Sequence, residues 1–247
     1  MAAAPVLPAS PTPQPAPLSQ GARILDTYIA PKKTFLDIRR SAQWWAPFLL
    51  MTLVGLCFVY IAESKIGVQK LFENDMHARP KQEAAFEKLT PQQQQGQIKI
   101  TGIIYYVFIP VFLLIIWLIM AGLQFGTFKF AANADITYSQ SLAIVVYSAL
   151  PTMLRSLLAI VSVLAGASAD GFTLSNPIAS NPGYFMNAAD NPFLYFIASQ
   201  VDVFLLWTLV LTAIGFATAG KVKMGTAFGI VFGWWLVITL GFAFAFS

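Results

Sequence analysis

The chain has 247 residues, 57% of them hydrophobic and 11% charged, with a net charge of +4. A soluble domain carries about 25% charged residues, so this composition indicates a polytopic membrane protein, and the small positive balance gives no reason to expect nucleic acid as a partner. One cysteine (Cys57) and one histidine (His77) exclude an internal disulfide and leave no cluster for zinc or iron; no metal or cofactor is expected.

Residues 1–22 are rich in Pro and Ala, lack a basic start and an apolar core, and read as a disordered tail rather than a secretory signal. Residues 23–43 follow as a basic amphipathic segment. Pro31 can open a short helix in which Phe35 and Ile38 share a face flanked by Lys32, Lys33, Arg39 and Arg40. Trp44 and Trp45 come next, at the depth expected of an interfacial belt. The segment reads either as a helix lying on the anionic head groups of the inner leaflet or as a topology signal with no further role.

Five apolar runs form the membrane domain, residues 44–247, with spans at about 44–62, 101–125, 138–166, 193–217 and 225–246. Each is long enough to cross a hydrocarbon core of roughly 30 Å, and helices are the form that satisfies the backbone in lipid. The fold class is therefore all-α. Between the first two runs, Thr90-Pro91-Gln92-Gln93 carries the N-cap, first-turn proline and capping-box glutamine of a helix that runs into span two. Basic residues flank the N-terminus, the turn after span two (Lys129) and the turn after span four (Lys221, Lys223), while 167–192 contains none. The positive-inside rule then places the N-terminus in the cytoplasm and the C-terminus outside. Six Lys and Arg between residues 63 and 99 oppose this assignment, but alternation of the spans and the remaining flanks favour it.

Two charges interrupt these runs, Arg155 in span three and Asp202 in span four. Arg155 is 11 residues from the outer end of its run and Asp202 is 9, which puts both roughly 14–17 Å below the outer boundary. An unpaired charge in a helix centre costs about 2.5–3.5 kcal/mol on insertion scales, so the two are expected to pair. The pair serves either to hold helices three and four in register or as a polar site for an ion, proton or lipid head group. Pro110 and Pro151 each remove a backbone donor and are expected to kink spans two and three. Gln124, Gln140 and Gln200 are expected to hydrogen-bond between helices or to line a polar cleft. Gly225, Gly229 and Gly233 form a doubled GxxxG, and Gly122 and Gly126 a single one. These glycines are expected to support close helix packing, within the chain or against another subunit.

Templates for enzymes are missing: there is no triad histidine, GxSxG, HExxH or phosphate loop. The order of several stretches resembles the Yip domain family of five-span membrane proteins, named for Ypt/Rab-interacting proteins. They are Ala30-Pro31-Lys32-Lys33-Thr34-Phe35 leading to Trp44-Trp45-Ala46-Pro47; Tyr138-Ser139-Gln140-Ser141-Leu142 with Tyr147 and Pro151; Asp202 to Trp207 with Ile214-Gly215; and the span-five glycines before Trp234-Trp235. The resemblance covers about residues 23–245 and matches the bacterial branch. It implies a five-helix bundle with a cytoplasmic N-terminus, in a bacterial inner membrane. The family's Asp-Leu-Tyr-Gly-Pro motif is absent, and its Gly-Tyr-x-x-x-Pro survives only as Tyr147 to Pro151 with Val146 in the glycine place. The expected function is a non-enzymatic organiser of membrane lipids or partners, the partner being another membrane protein or a second copy of the chain. The alternative is a small transporter or channel-like protein that uses Arg155 and Asp202.

Overall fold

The computed structural model describes residues 16–77 and 79–246. All of its regular elements are helical: α1 (Gln20–Ile29), α2 (Pro31–Ile38), α3 (Trp45–Ile66), α4 (Val68–His77), α5 (Pro80–Phe86), α6 (Pro91–Ala131), α7 (Tyr138–Ser148), α8 (Leu150–Leu164), α9 (Pro192–Gln200), α10 (Val203–Ala219) and α11 (Met224–Phe246). The proposed tail falls mainly outside the described residues, but its last part is helical. Ser19 caps α1 by accepting from the Ala22 N–H. Ala30 ends α1 because a residue before proline avoids the helical region, and Pro31 opens α2 at once.

Four stretches are long and apolar enough to cross a membrane: Trp45–Ile66, Pro110–Ala131, Tyr138–Leu164 and Met224–Ala245. A fifth is the bent pair α9–α10. Three details differ from the reading of the sequence. The apolar stretch of α6 lies further along than 101–125, because the helix continues through Lys129 to Ala131. Span three is two helices, broken at Ala149, with Pro151 in the first turn of α8. Span four turns by 53° between α9 and α10.

Capping chemistry sets several of these ends. Thr90 and Gln93 form a capping box at the start of α6, which runs 41 residues, about 61 Å of helix, with Pro110 inside it. Thr137 and Gln140 form a second box at α7. Two of the Asn-Pro pairs after span three are helix starts. Asn181 caps a short 3-10 turn, Pro182–Phe185, and Asn191 caps α9.

Packing produces two cores. The larger joins α2, α6, α7, α10 and α11 around Phe35, Ile38, Phe128, Ile144, Tyr147 and Phe216. Residues 141–150 are buried without interruption, so α7 is enclosed on all sides from Ser141 onward. Phe128 and Phe216 stack with centroids 4.2 Å apart. Lipid tails are as apolar as these side chains, so close approach and polar contacts must hold the helices together. Gly215 shows the requirement: a Cβ there would stand 2.5 Å from Ile144 Cγ2 and 3.0 Å from Phe35. The smaller core joins Phe58 and Ala62 of α3, Leu71 of α4, Ala159 and Val163 of α8, and Phe172.

The molecule therefore has two distinct ends. α1, α2 and the turns α6–α7 and α10–α11 make one, called here the basic end. α4, α5 and the long segment between α8 and α9 make the other, the distal end.

Candidate functional site

Arg155 lies on α8, 17 residues from the start of α7 at Tyr138, and Asp202 lies 17 residues before Ala219 at the end of α10. Equal distances from the basic end bring them to one level, and Arg155 Nε stands 3.5 Å from Asp202 Oδ2. Asp202 is not inside a continuous helix. It is the N-cap of α10, accepting from the N–H groups of Phe204 (2.9 Å) and Leu205 (3.1 Å), and Ser180 Oγ also donates to it. The break between α9 and α10 is what gives the carboxylate these donors. A helix N-terminus favours negative charge, so Asp202 is satisfied largely without Arg155.

The arginine is served less completely. Nη2 donates to the Ser175 carbonyl at 2.9 Å. Nε is buried and makes no hydrogen bond among the described residues. Among the described residues no hydrogen bond is found for Nη1.

Beside Arg155 a cavity of about 330 Å³ opens between α3, α6 and α8, lined mainly by apolar groups that include Met51, Phe58, Leu113, Trp117 and Leu174. Tyr105, also on its wall, donates to the Asp75 carboxylate (3.2 Å), which accepts from Ser175 Oγ as well (3.2 Å). Asp75 sits at the distal end, where burial pushes its carboxyl above the ordinary 3.8, against the opposing charge of Arg79 and the two hydrogen bonds. Asn74 fastens the segment after α8 by donating to the carbonyls of Ala169 and Phe172. Asp75, Tyr105, Ser175 and Ser180 carry no distinguishing mark in the sequence. Asp75 looks like one more charge in a solvated loop, and nothing local shows that residues 167–181 fold back onto the bundle.

At the basic end the structure has a second pair, also unforeseen. Arg23 and Asp37, 2% and 3% exposed, meet at 2.6 Å through Nη2 and 2.7 Å through Nε, and Nη1 donates to the Ser41 carbonyl. Arg40 pairs with the same carboxylate. Burial raises the Asp37 carboxyl, but hydrogen bonds from Arg40 and Arg23 and the charge of Arg23 outweigh it and hold the group below 3.8. Thr27 and Thr34 hydroxyls both donate to the Arg23 carbonyl.

The apolar face formed by Phe35 and Ile38 is thus turned into the protein, both residues having no exposed surface. This corrects the expectation that it lies on head groups. Leu25, Ile29 and Leu36 are the exposed apolar residues of α1 and α2, and Lys32 and Lys33 are exposed beside them. Arg39 pairs with Asp135, which Lys221 also reaches. Tyr28 donates to the Leu150 carbonyl at 2.8 Å, which ties α1 to the α7–α8 break.

The remaining expected residues separate into contacts and open positions. Gln140 donates to the Arg39 carbonyl, whereas Gln124 Oε1 is buried with no partner among the described residues. Gln200 is the last residue of α9. Gly122 lies 3.9 Å, by its absent Cβ, from Tyr138, and Gly126 faces open space. Gly225, Gly229 and Gly233 also face open space, so the doubled GxxxG is not used for packing within the described chain. Its stripe is on the outside of α11 because α9 and α10 pack against other faces.

The family model described as the Yip1 domain matches residues 25–245, and the chain belongs to this family of membrane proteins. No curated protein and no solved structure matches it.

Proposed function

We propose that this Yip1-domain protein is a non-enzymatic organiser of membrane lipids and membrane partners, with its basic end against the anionic inner leaflet of a bacterial cytoplasmic membrane. The N-terminus is then cytoplasmic and the C-terminus outside.

One observation carries this reading. α1 and α2 are locked to each other by the buried Arg23–Asp37 pair and to the bundle by Phe35, Ile38 and the Tyr28–Leu150 hydrogen bond, and they present Lys32 and Lys33 next to exposed Leu25, Ile29 and Leu36. Apolar side chains flanked by lysines suit the boundary between acyl chains and anionic head groups. The charge pattern agrees. The sequence segments at the basic end hold eight Lys or Arg and three acidic residues, and those at the distal end hold six and seven. The reading as a small transporter or channel is disfavoured by the sealed core between Arg155 and the basic end, where Ile144, Val146, Tyr147, Leu150 and Phe216 have no exposed surface.

Mild extraction into lipid nanodiscs, followed by mass spectrometry of the retained lipids and proteins, tests the proposal. The wild-type protein is expected to retain anionic lipid above its bulk fraction together with a stoichiometric protein partner. Lys32→Glu/Lys33→Glu is expected to lose the lipid enrichment with an unchanged elution profile. A retained-lipid profile equal to the bulk membrane, with solute flux in reconstituted vesicles, would overturn it in favour of transport.

A further inference from the structure

We propose that the cleft between α3, α6 and α8 binds an anionic amphiphile, its chain in the apolar slot and its acidic head on Arg155. The site is separate from the lysines of the basic end, and its test does not depend on them.

The charge balance around Arg155 makes the first argument. Its apparent partner, Asp202, already accepts two N–H groups of α10 and the Ser180 hydroxyl. Arg155 gains in return one carbonyl and an ion-pair contact at 3.5 Å without a hydrogen bond. A guanidinium has five donors in a planar fork suited to carboxylate or phosphate. Here Nη1 is left over and Arg155 lines a cavity; a half-buried cation with spare donors attracts an anion more strongly than one in water.

The shape of the cleft makes the second argument. α6 runs back towards the basic end, so its wall residues Tyr105 and Trp117, 12 residues apart, span roughly 18 Å along the membrane normal. Arg155 stands between them. On the side of Arg155 nearer the basic end the wall is Met51, Leu113 and Trp117, all apolar; the Tyr105 hydroxyl marks the distal side. Thr152 and Ser156, also on the wall, spend their hydroxyls on carbonyls of their own helix region. The volume of about 330 Å³ is within the range of small-molecule pockets, about 300–1,000 Å³. Phe112, on the wall, is 42% exposed, so the cleft is open at its edge and the occupant can enter from the acyl chains of the bilayer. A water-soluble anion would leave this apolar slot unfilled, whereas an alkyl chain with an acidic head matches both parts.

Trp117 on the wall supplies the readout. The protein is placed in nanodiscs containing phospholipid brominated on the acyl chain, as phosphatidylglycerol or phosphatidylcholine, or containing brominated stearate. The Trp117 signal is the difference between wild type and Trp117→Phe. Half-quenching is expected at about a tenfold lower mole fraction of an anionic probe than of the phosphatidylcholine, the factor a single charge-assisted contact supplies. Whichever anionic probe acts at lower fraction identifies a lipid phosphate or a free carboxylate as the head. Arg155→Gln/Asp202→Asn, which removes both charges together, is expected to abolish the preference. Gly55→Leu fills the slot without altering charge or weakening α3, and is expected to abolish quenching of Trp117 by every probe. Equal quenching by anionic and neutral lipid in the wild type, or undiminished quenching in Gly55→Leu, would overturn the proposal.

Discussion

Two Arg–Asp pairs hold this molecule, and they are built on opposite principles. Arg23 and Asp37 are 2% and 3% exposed, and Arg23 directs Nε and Nη2 to the carboxylate and Nη1 to a carbonyl. Nothing is left for a ligand. Arg155 and Asp202 are 27% and 7% exposed. The aspartate is satisfied by a helix N-terminus, while the arginine keeps donors beside a cavity. A saturated ion pair is a structural pin, and an unsaturated one beside open space is a place where something can bind. The contrast separates the two ends by role: the basic end is locked, and the distal half carries the adaptable polar network.

Removing one member of the sealed pair is expected to have the largest effect. Asp37→Ala strands a buried guanidinium, at a cost of roughly 3–5 kcal/mol, and is expected to abolish the monodisperse peak in fluorescence-detected size exclusion. A stable, monodisperse Asp37→Ala would mean that the basic end is not locked by charge.

At the distal pair the loss should be smaller and should divide by chemistry. Asp202→Asn keeps a competent N-cap and removes the charge, whereas Asp202→Ala removes both. The alanine variant is expected to be less stable than the asparagine variant by about 0.5–2 kcal/mol, the worth of the cap, in thermal unfolding monitored by tryptophan fluorescence. Equal losses would place the whole role of Asp202 in its pairing with Arg155.

The finest distinction is in pH dependence, which has opposite signs at the two ends. The Asp37 carboxyl is held below 3.8, so its contribution is complete above that value and is lost as the pH falls through the lowered pKa. Burial raises Asp75 above 3.8, so its contribution is complete below 3.8 and is lost as the pH rises through the raised pKa. Hydrogen exchange between pH 7 and 4 is expected to show increasing protection of α4 on acidification and no change in α1. Asp75→Asn is expected to remove the response in α4.

Much of the fold is legible because the membrane imposes simple rules. Apolar runs long enough to span must be helices, Thr90 with Gln93 marks the start of α6, and Pro31 marks the start of α2. The shared level of Arg155 and Asp202 follows from counting residues along neighbouring antiparallel spans. The bend at Asp202 is not legible, since residues on both sides of it are apolar and periodicity carries no record of direction when either face can meet lipid or protein. For the same reason Phe35 and Ile38 show in the sequence that α2 has an apolar face, but not that α7 and α10 cover it.

The glycines put the division most sharply. Gly225, Gly229 and Gly233 have the spacing of a packing motif and face open space, whereas Gly215, without a partner at that spacing, has Ile144 and Phe35 against it. By itself the sequence determined what each segment is: membrane-spanning or not, capped or broken, charged or apolar. Tertiary structure alone decided what each face touches. Spacing fixes which residues share a face, but the neighbour of that face comes from elsewhere in the chain, as Asp37 comes to Arg23 across the break at Pro31 and Ser175 comes to Arg155 from the segment beyond α8.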